Sequence, residues 1–420
     1  MQEQDFGGGG LTSVDKPAWE YIREGKAPRS EYELGEMTVG IDFLSGFLQD
    51  RYLKEYIKEG GSKLKFVTGR KGSGKSHLLY VMEYLAKRES YKTAFFSAND
   101  VWLHDFKEIY LETMRQCDIM AVMEDCAKVI IRKMGYEPDD MEEGSTFMDY
   151  LSEIGEADPI NKRQLRLLIK EMFWDNTRLD NNFALACGLL CGSVLGHPAL
   201  EEQNRDIILR WLHCDKTVRL LQLRPLGMSP NRINKYNARH MLRSLSEVIH
   251  MGSHAGLVVL IDDMEVLLRK NQTEGIRYTK MRRDDTYESI RQLVDEIDSM
   301  NNIMFFFGFD RVLMDDESAG LKSYQALWMR IQNEVVGERF NRFSDILDLD
   351  RLSAEIYDES ALCEMSEKLA WMASENHHAA SPIRIEQARE LIASSRTNSI
   401  GLPLAQNRLT LHTDGGSDEY

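Results

Sequence analysis

The 420-residue chain carries 52 Lys and Arg against 68 Asp and Glu, a formal net charge of −16 at pH 7. That balance excludes a surface that is basic all over, so any contact with nucleic acid must use a local patch or a channel formed on assembly. Hydrophobic residues make up 43% of the chain, enough for a substantial core in one large domain or two to three ordinary ones. No apolar run reaches the length of a membrane span, and no charged-then-apolar signal opens the chain, which points to a cytoplasmic protein with no membrane partner.

In chain order, residues 1 to 15, with four consecutive glycines from Gly7 to Gly10, read as a mobile arm. Residues 16 to 26 form a short helix with Trp19, Tyr21 and Ile22. An amphipathic helix over 43 to 57, with Phe43, Phe47, Tyr52 and Ile57 near one face, ends at Gly60 and Gly61. A short apolar strand over 64 to 68 then runs into Gly69-Arg70-Lys71-Gly72-Ser73-Gly74-Lys75-Ser76, followed by a helix start at His77. This is the phosphate-binding P-loop pattern in its proper setting. Its glycines let backbone N–H groups turn inward, the helix N-terminus adds partial positive charge, Lys75 reaches the terminal phosphates and the Ser76 hydroxyl can ligate Mg²⁺. Gly69 through His77 are therefore the candidate nucleotide-binding residues, with ATP and Mg²⁺ as ligands.

A second buried strand is expected over 91 to 97, and 105 to 134 looks helical. From about 125 to 250 the pattern is almost wholly helical, broken at Pro159, Pro198, Pro225 and Pro230. That is too long for one crossover, so it reads as a helical insertion in the nucleotide-binding domain. Within it Cys187 and Cys191 share a helix face. They supply half of a zinc site's ligands, so they read as buried thiols. A helix over 232 to 249 leads back to the sheet.

Two continuous apolar runs, 257 to 261 and 303 to 307, read as parallel strands covered on both faces. The first ends in Asp262-Asp263-Met264-Glu265. Asp262 can hold Mg²⁺ beside Ser76, Asp263 can polarise the attacking water, and Glu265 is a further catalytic candidate. As in ATPases with an extra central strand, the 303 strand is expected between the first strand and the Asp262 strand, with Asp310 at its end as the candidate phosphate sensor. Arg330, Arg339 and Arg342 precede a last strand near 344 to 349 and are candidates for an arginine finger across a subunit interface. Residues 355 to 375 are a further helix, and the pattern weakens from 377 to a disordered end over 413 to 418. The division is 1–36, arm and entry helix; 37–124 and 223–350, the two parts of the ATPase domain; 125–222, the insertion; and 351–420, a C-terminal helical region.

Several segments together resemble the D-type ATP-binding proteins of bacterial BREX phage-exclusion systems, a branch of the AAA+ and replication-initiator-like ATPases. They are Tyr21 to Pro28, Thr38-Val39-Gly40, Asn237-Ala238-Arg239, Leu242 to Ser246, Gly256 to Glu265, Ile290 to Glu296, Ser323 to Leu327 and Asp348-Leu349-Asp350. The resemblance implies an α/β, AAA+-like parallel sheet flanked by helices. It also implies an oligomeric ATPase acting with other defence proteins and with DNA. Arg224, Arg232, Lys235, Arg239, Arg243, Arg282 and Arg283 offer local positive charge for phosphates. Three departures bear on turnover. Asp263 stands where the family has Glu, Phe309 stands where a small hydroxyl residue is expected, and no helical lid with a sensor arginine is legible beyond about 384. The alternative to an ATPase is a nucleotide-dependent switch that recruits partners with little hydrolysis.

Overall fold

The computed structural model describes residues 18–269, 275–332, 340–395 and 397–411. The expected arm over 1 to 15, the disordered end over 413 to 418 and the candidate Arg339 lie outside them.

Five parallel strands form one sheet: β1 (Ser62–Gly69), β2 (Tyr91–Ser97), β3 (Gly256–Asp262), β4 (Ile303–Asp310) and β5 (Ile346–Asp348). Their spatial order is β2-β3-β4-β1-β5, so β4 does lie between β1 and β3. Every residue of β3, and every residue of β4 except the last, is buried. Helices cover both faces, which is why these strands read as continuous apolar runs and not as alternation. The pleat divides them by period two. Phe305, Phe307, Phe309, Phe66, Val259 and Ile261 face the larger core, while Met304, Phe306, Val67, Val258 and Leu260 face the other with Leu78, Leu79 and Met82.

Register fixes what meets at the sheet's C-terminal rim. Gly69 is opposite Asp310, and Ser97 is opposite Asp262. The 69–76 loop, the paired aspartates and Asp310 therefore emerge side by side, at the edge where open parallel sheets hold ligands.

The helices depart from expectation in three places. The 43 to 57 helix is α-helical over Asp42–Leu48 and π-helical over Gln49–Ile57. Its buried line is Leu44, Leu48, Leu53 and Ile57, spaced by four, five and four, as the wider i→i+5 turn requires. Phe43, expected on the inner face, is instead exposed. The 105 to 134 helix is two, Phe106–Cys117 and Ile119–Lys133, because Asp118 takes a left-handed φ of 44° and caps the second through Met120 and Ala121. The helix expected from 232 begins at Ala238 and runs to Met251. In the C-terminal region, where the sequence period weakens from 377, helices run over Ile385–Ser394 and Leu402–Leu411. Gln406 and Thr410 are buried there and bonded to each other, with Thr410 also bonded to Ser366. Polar residues at core positions blur the apolar period that would otherwise announce the helix.

The helices Pro159–Ile169, Asn181–Leu195 and Glu202–Leu212 share one continuous core with a face of the sheet, and residue 125 falls inside the helix Ile119–Lys133. Cys187 and Cys191 are both buried in that core. A separate cluster joins Leu362, Met365, Leu391, Leu402 and Ala405 with Val39. Among the described residues no helix is long and apolar enough to cross a membrane.

Candidate functional site

The loop after β1 is shaped by close approach and a left-handed turn. A Cβ on Gly69 would lie 2.3 Å from the Ser73 hydroxyl, and Gly74 has φ +93° just before the helix Lys75–Arg88. No side chain caps that helix, and its first hydrogen bond runs from Leu78 N–H to the Gly74 carbonyl. The N–H groups of Lys75, Ser76 and His77 thus precede the ladder, at the positive end of the helix dipole. The Ser73 hydroxyl is buried and has no hydrogen-bond partner among the described residues.

Lys75 donates from Nζ to the carbonyls of Gly69 and Arg70, both at 3.0 Å, and lies 3.7 Å from the Asp310 carboxylate. Ser76 donates its hydroxyl to Asp262 Oδ2 at 2.6 Å. Room for that carboxylate depends on Gly308, where a Cβ would lie 2.5 Å from Asp262 Oδ1. Burial, and then the neighbouring Asp263, push the Asp262 carboxyl above its ordinary range. A hydroxyl and a carboxylate side by side at the N–H groups that open this helix fit a hard divalent cation held next to phosphates.

Asp263 takes a left-handed backbone, φ +61° and ψ 30°, and donates its N–H to Asp262 Oδ1 at 2.9 Å. Its own carboxylate accepts from the Ser97 hydroxyl at 2.6 Å, and Ser97 in turn accepts from both nitrogens of Asn99. Glu265 accepts from the backbone N–H of Asp310 at 3.0 Å, and burial pushes its carboxyl up. Asp310 also caps the short helix after it, accepting from Val312 N–H. Phe309 is fully buried against Phe66 on the opposite face of β4 from Gly308. The residue at the rim of β4 is Asp310.

Other candidates are placed differently. Arg70 turns outward: its N–H and Nε meet Asp350 at 3.0 and 3.2 Å, and its guanidinium donates to the carbonyls of Ser395 and Asn398. The carbonyls of Lys71 and Gly72 accept from the N–H groups of Gly401 and Leu404, so the end of the chain packs on the outside of the loop. The His77 side chain meets the Thr38 hydroxyl at 2.9 Å. That hydroxyl gives its one proton to the Leu34 carbonyl, so His77 Nε2 is the donor, and burial keeps the ring neutral by pulling its pKa down to about 4. Arg330 is ion-paired with Asp295 of its own chain. Arg342 lies over the rings of Phe47 and Phe343, lining a surface groove of about 480 Å³ with Asp42, Asp50 and Glu55. Neither belongs to the cluster around Lys75.

Sequence reasoning missed one set of residues. Arg311, directly after Asp310, reaches Asp348 at 3.1 Å and Asp350 at 3.4 Å. Asp350 thereby joins β5, the residue after Asp310 and the start of the loop. The signal was available in Asp348-Leu349-Asp350, an acidic pair at a strand end like Asp262 and Asp263.

A family model described as "BREX system ATP-binding protein BrxC/D" matches residues 19–402. Neither a curated protein nor a solved structure matches the chain.

Proposed function

The chain belongs to the family of BREX system ATP-binding proteins BrxC/D, and from that premise we propose that it is a Mg-ATP-hydrolysing, AAA+-type protein of an antiviral defence system. In this reading it works as a homo-oligomer in the cytoplasm, with other proteins of the system and on or alongside DNA. The observation that carries the nucleotide half is the Ser76 to Asp262 bond, which joins two segments far apart in sequence beneath the start of one helix.

The N–H groups at the start of the helix, on Lys75, Ser76 and His77, would hold the phosphates, and Lys75 would exchange two backbone carbonyls for terminal phosphate oxygens. Ser76 and Asp262 are the residues that would hold Mg²⁺, which supplies charge neutralisation on the phosphates. Asp263 orients the attacking water. Glu265, made more basic by burial, is the second candidate for its proton. Asp310, beside Lys75, reads the terminal phosphate, and Arg330, Arg339 or Arg342 supplies positive charge to a neighbouring subunit's site.

A second reading, a switch that binds ATP and scaffolds partners with little hydrolysis, is favoured by one observation: Ser97 already occupies the Asp263 carboxylate. Calorimetric titration with ATP and Mg²⁺ tests the shared premise, binding being expected for the unaltered chain and lost in Lys75→Ala. Phosphate release with and without duplex DNA then separates the two. Turnover that rises with DNA supports the ATPase, whereas tight binding with turnover appearing only in Ser97→Ala supports the switch. Absence of ATP binding would overturn both.

A further inference from the structure

From Lys216 through Ser246 the chain contains no Asp or Glu, yet it holds Lys216, Arg219, Arg224, Arg232, Lys235, Arg239 and Arg243. With 68 acidic residues in 420 and a net charge of −16, a stretch of this length carries about five carboxylates on average, so the segregation stands against the composition of the rest of the chain.

The structure sorts these cations. Arg239 is ion-paired with Glu296 at 2.8 Å, and Arg243 donates to the Arg178 carbonyl. Lys216, Arg219, Arg224, Arg232 and Lys235 are exposed. They belong to one folded surface. Val218, Leu223, Met228 and Ile233 are buried beneath it, Arg232 donates to the carbonyls of Lys216 and Val218, and Trp211 donates to the Asn231 carbonyl at 2.8 Å. Asp215, the acidic residue at its border, is bonded to Arg210 and Thr217. Two large side chains stand out from the surface: Leu221 at 67% exposure and Tyr236 at 77%, the latter with Lys235 Nζ 5.1 Å from its ring centre.

We propose that this surface, Lys216 to Tyr236, binds single-stranded nucleic acid, its cations tracking the phosphates and Tyr236 stacking an unpaired base. The inference deepens the DNA part of the function proposed above and rests on it. Cations with no ion-pair partner among the described residues and no carboxylate in their own segment attract a regularly spaced polyanion, and every exchange of a counterion for a lysine or arginine adds to the salt dependence of binding. An exposed aromatic ring beside a lysine is the combination that sequence-tolerant single-strand binders use, because each base offers a face to stack and a phosphate to neutralise. A duplex, whose bases are already stacked, gains nothing from Tyr236. The surface uses nothing from the nucleotide site, so its binding can be measured without ATP.

The test is fluorescence anisotropy of the full chain with a labelled 20-nucleotide single strand and with the matching duplex, over a series of salt concentrations. The variants are Lys216→Gln/Arg224→Gln/Lys235→Gln, Tyr236→Ala, and a control with the exposed cations Arg132, Lys133 and Arg163 changed to Gln. The triple surface variant is expected to flatten the slope of log affinity against log salt by about two for the single strand. Tyr236→Ala is expected to weaken single-strand binding by about fivefold or more at an unchanged slope, with little effect on the duplex, and the control variant to bind as the unaltered chain does. Binding by the triple variant equal to that of the control would overturn the surface assignment and leave the wider DNA reading standing. No binding by the unaltered chain at low salt would overturn both. Loss of self-association in the triple variant, seen by sedimentation without DNA and with single-strand binding intact, would assign the surface to a second copy of the chain and overturn the proposal.

Discussion

Asp263 shows how a backbone conformation selects a side chain. A left-handed φ of +61° costs most L-residues about 1–2 kcal/mol, and Asp and Asn bear it best outside glycine. The position is therefore better suited to Asp than to the longer Glu by its backbone alone. Asp263→Asn keeps the conformation and removes the charge, whereas Asp263→Ala adds strain. Urea unfolding is expected to place the alanine variant about 1 kcal/mol below the asparagine variant, and phosphate release should fall in both.

Lys65 makes a second prediction at the same scale. It is fully buried in β1, donates to the carbonyls of Phe343 and Ser344, and lies over the Tyr52 ring. Burial pulls its pKa down to about 7, while the unfolded chain titrates near the ordinary lysine value of about 10.4. Between those values the unfolded state holds a proton that the folded state lacks, so stability rises with pH through that window, by up to about 1.4 kcal/mol per unit. Thermal melts from pH 7 to 9 should show that rise, and Lys65→Met should flatten it.

Among elements, the decisive contacts run between strand ends and not along helices. Asp350, with a side chain 8% exposed, meets both Arg70 and Arg311, tying the loop after β1 to the end of β4. Removing it leaves two arginines without their shared partner. Asp350→Ala is expected to cost about 3 kcal/mol in denaturant unfolding and to weaken ATP binding, with Asp350→Asn intermediate because it keeps an acceptor for the Arg70 N–H.

The core strands were legible because burial on both faces writes itself as a continuous apolar run, as in 257 to 261 and 303 to 307. Their order followed from likeness to ATPases with an extra central strand, since no periodicity orders strands within a sheet. The break at Asp118, the π-helical turn and the bounds of the last two helices were not legible, since a left-handed aspartate, a stretched repeat and a buried Gln406–Thr410 pair leave no periodic signature. In the site, Lys75, Ser76, Asp262 and Asp310 stand together as their motifs suggested. The outward turn of Arg70 was hidden, because the sequence pattern marks which residues form a phosphate loop and not which of its sides each one faces.

At the scale of the molecule, the C-terminal helices have their own core and meet the 69–76 loop through backbone bonds from Gly401 and Leu404. A Cβ on Gly401 would lie 2.6 Å from the Ser73 N and Cα, so Gly401→Ala must shift one segment or the other. It is expected to weaken ATP binding by about tenfold or more, as small displacements at a preorganised site do, with the far-ultraviolet circular dichroism unchanged.

The same contact sets an order of assembly. A ribosome releases Gly69 and the whole loop well before Gly401 and Leu404, the residues that bond the outer carbonyls of Lys71 and Gly72. β1 itself waits for its neighbours β4 and β5, which are made between the loop and those partners. The outer side of the loop therefore gains its last backbone partners only when Gly401 and Leu404 close against a segment made with the first strand.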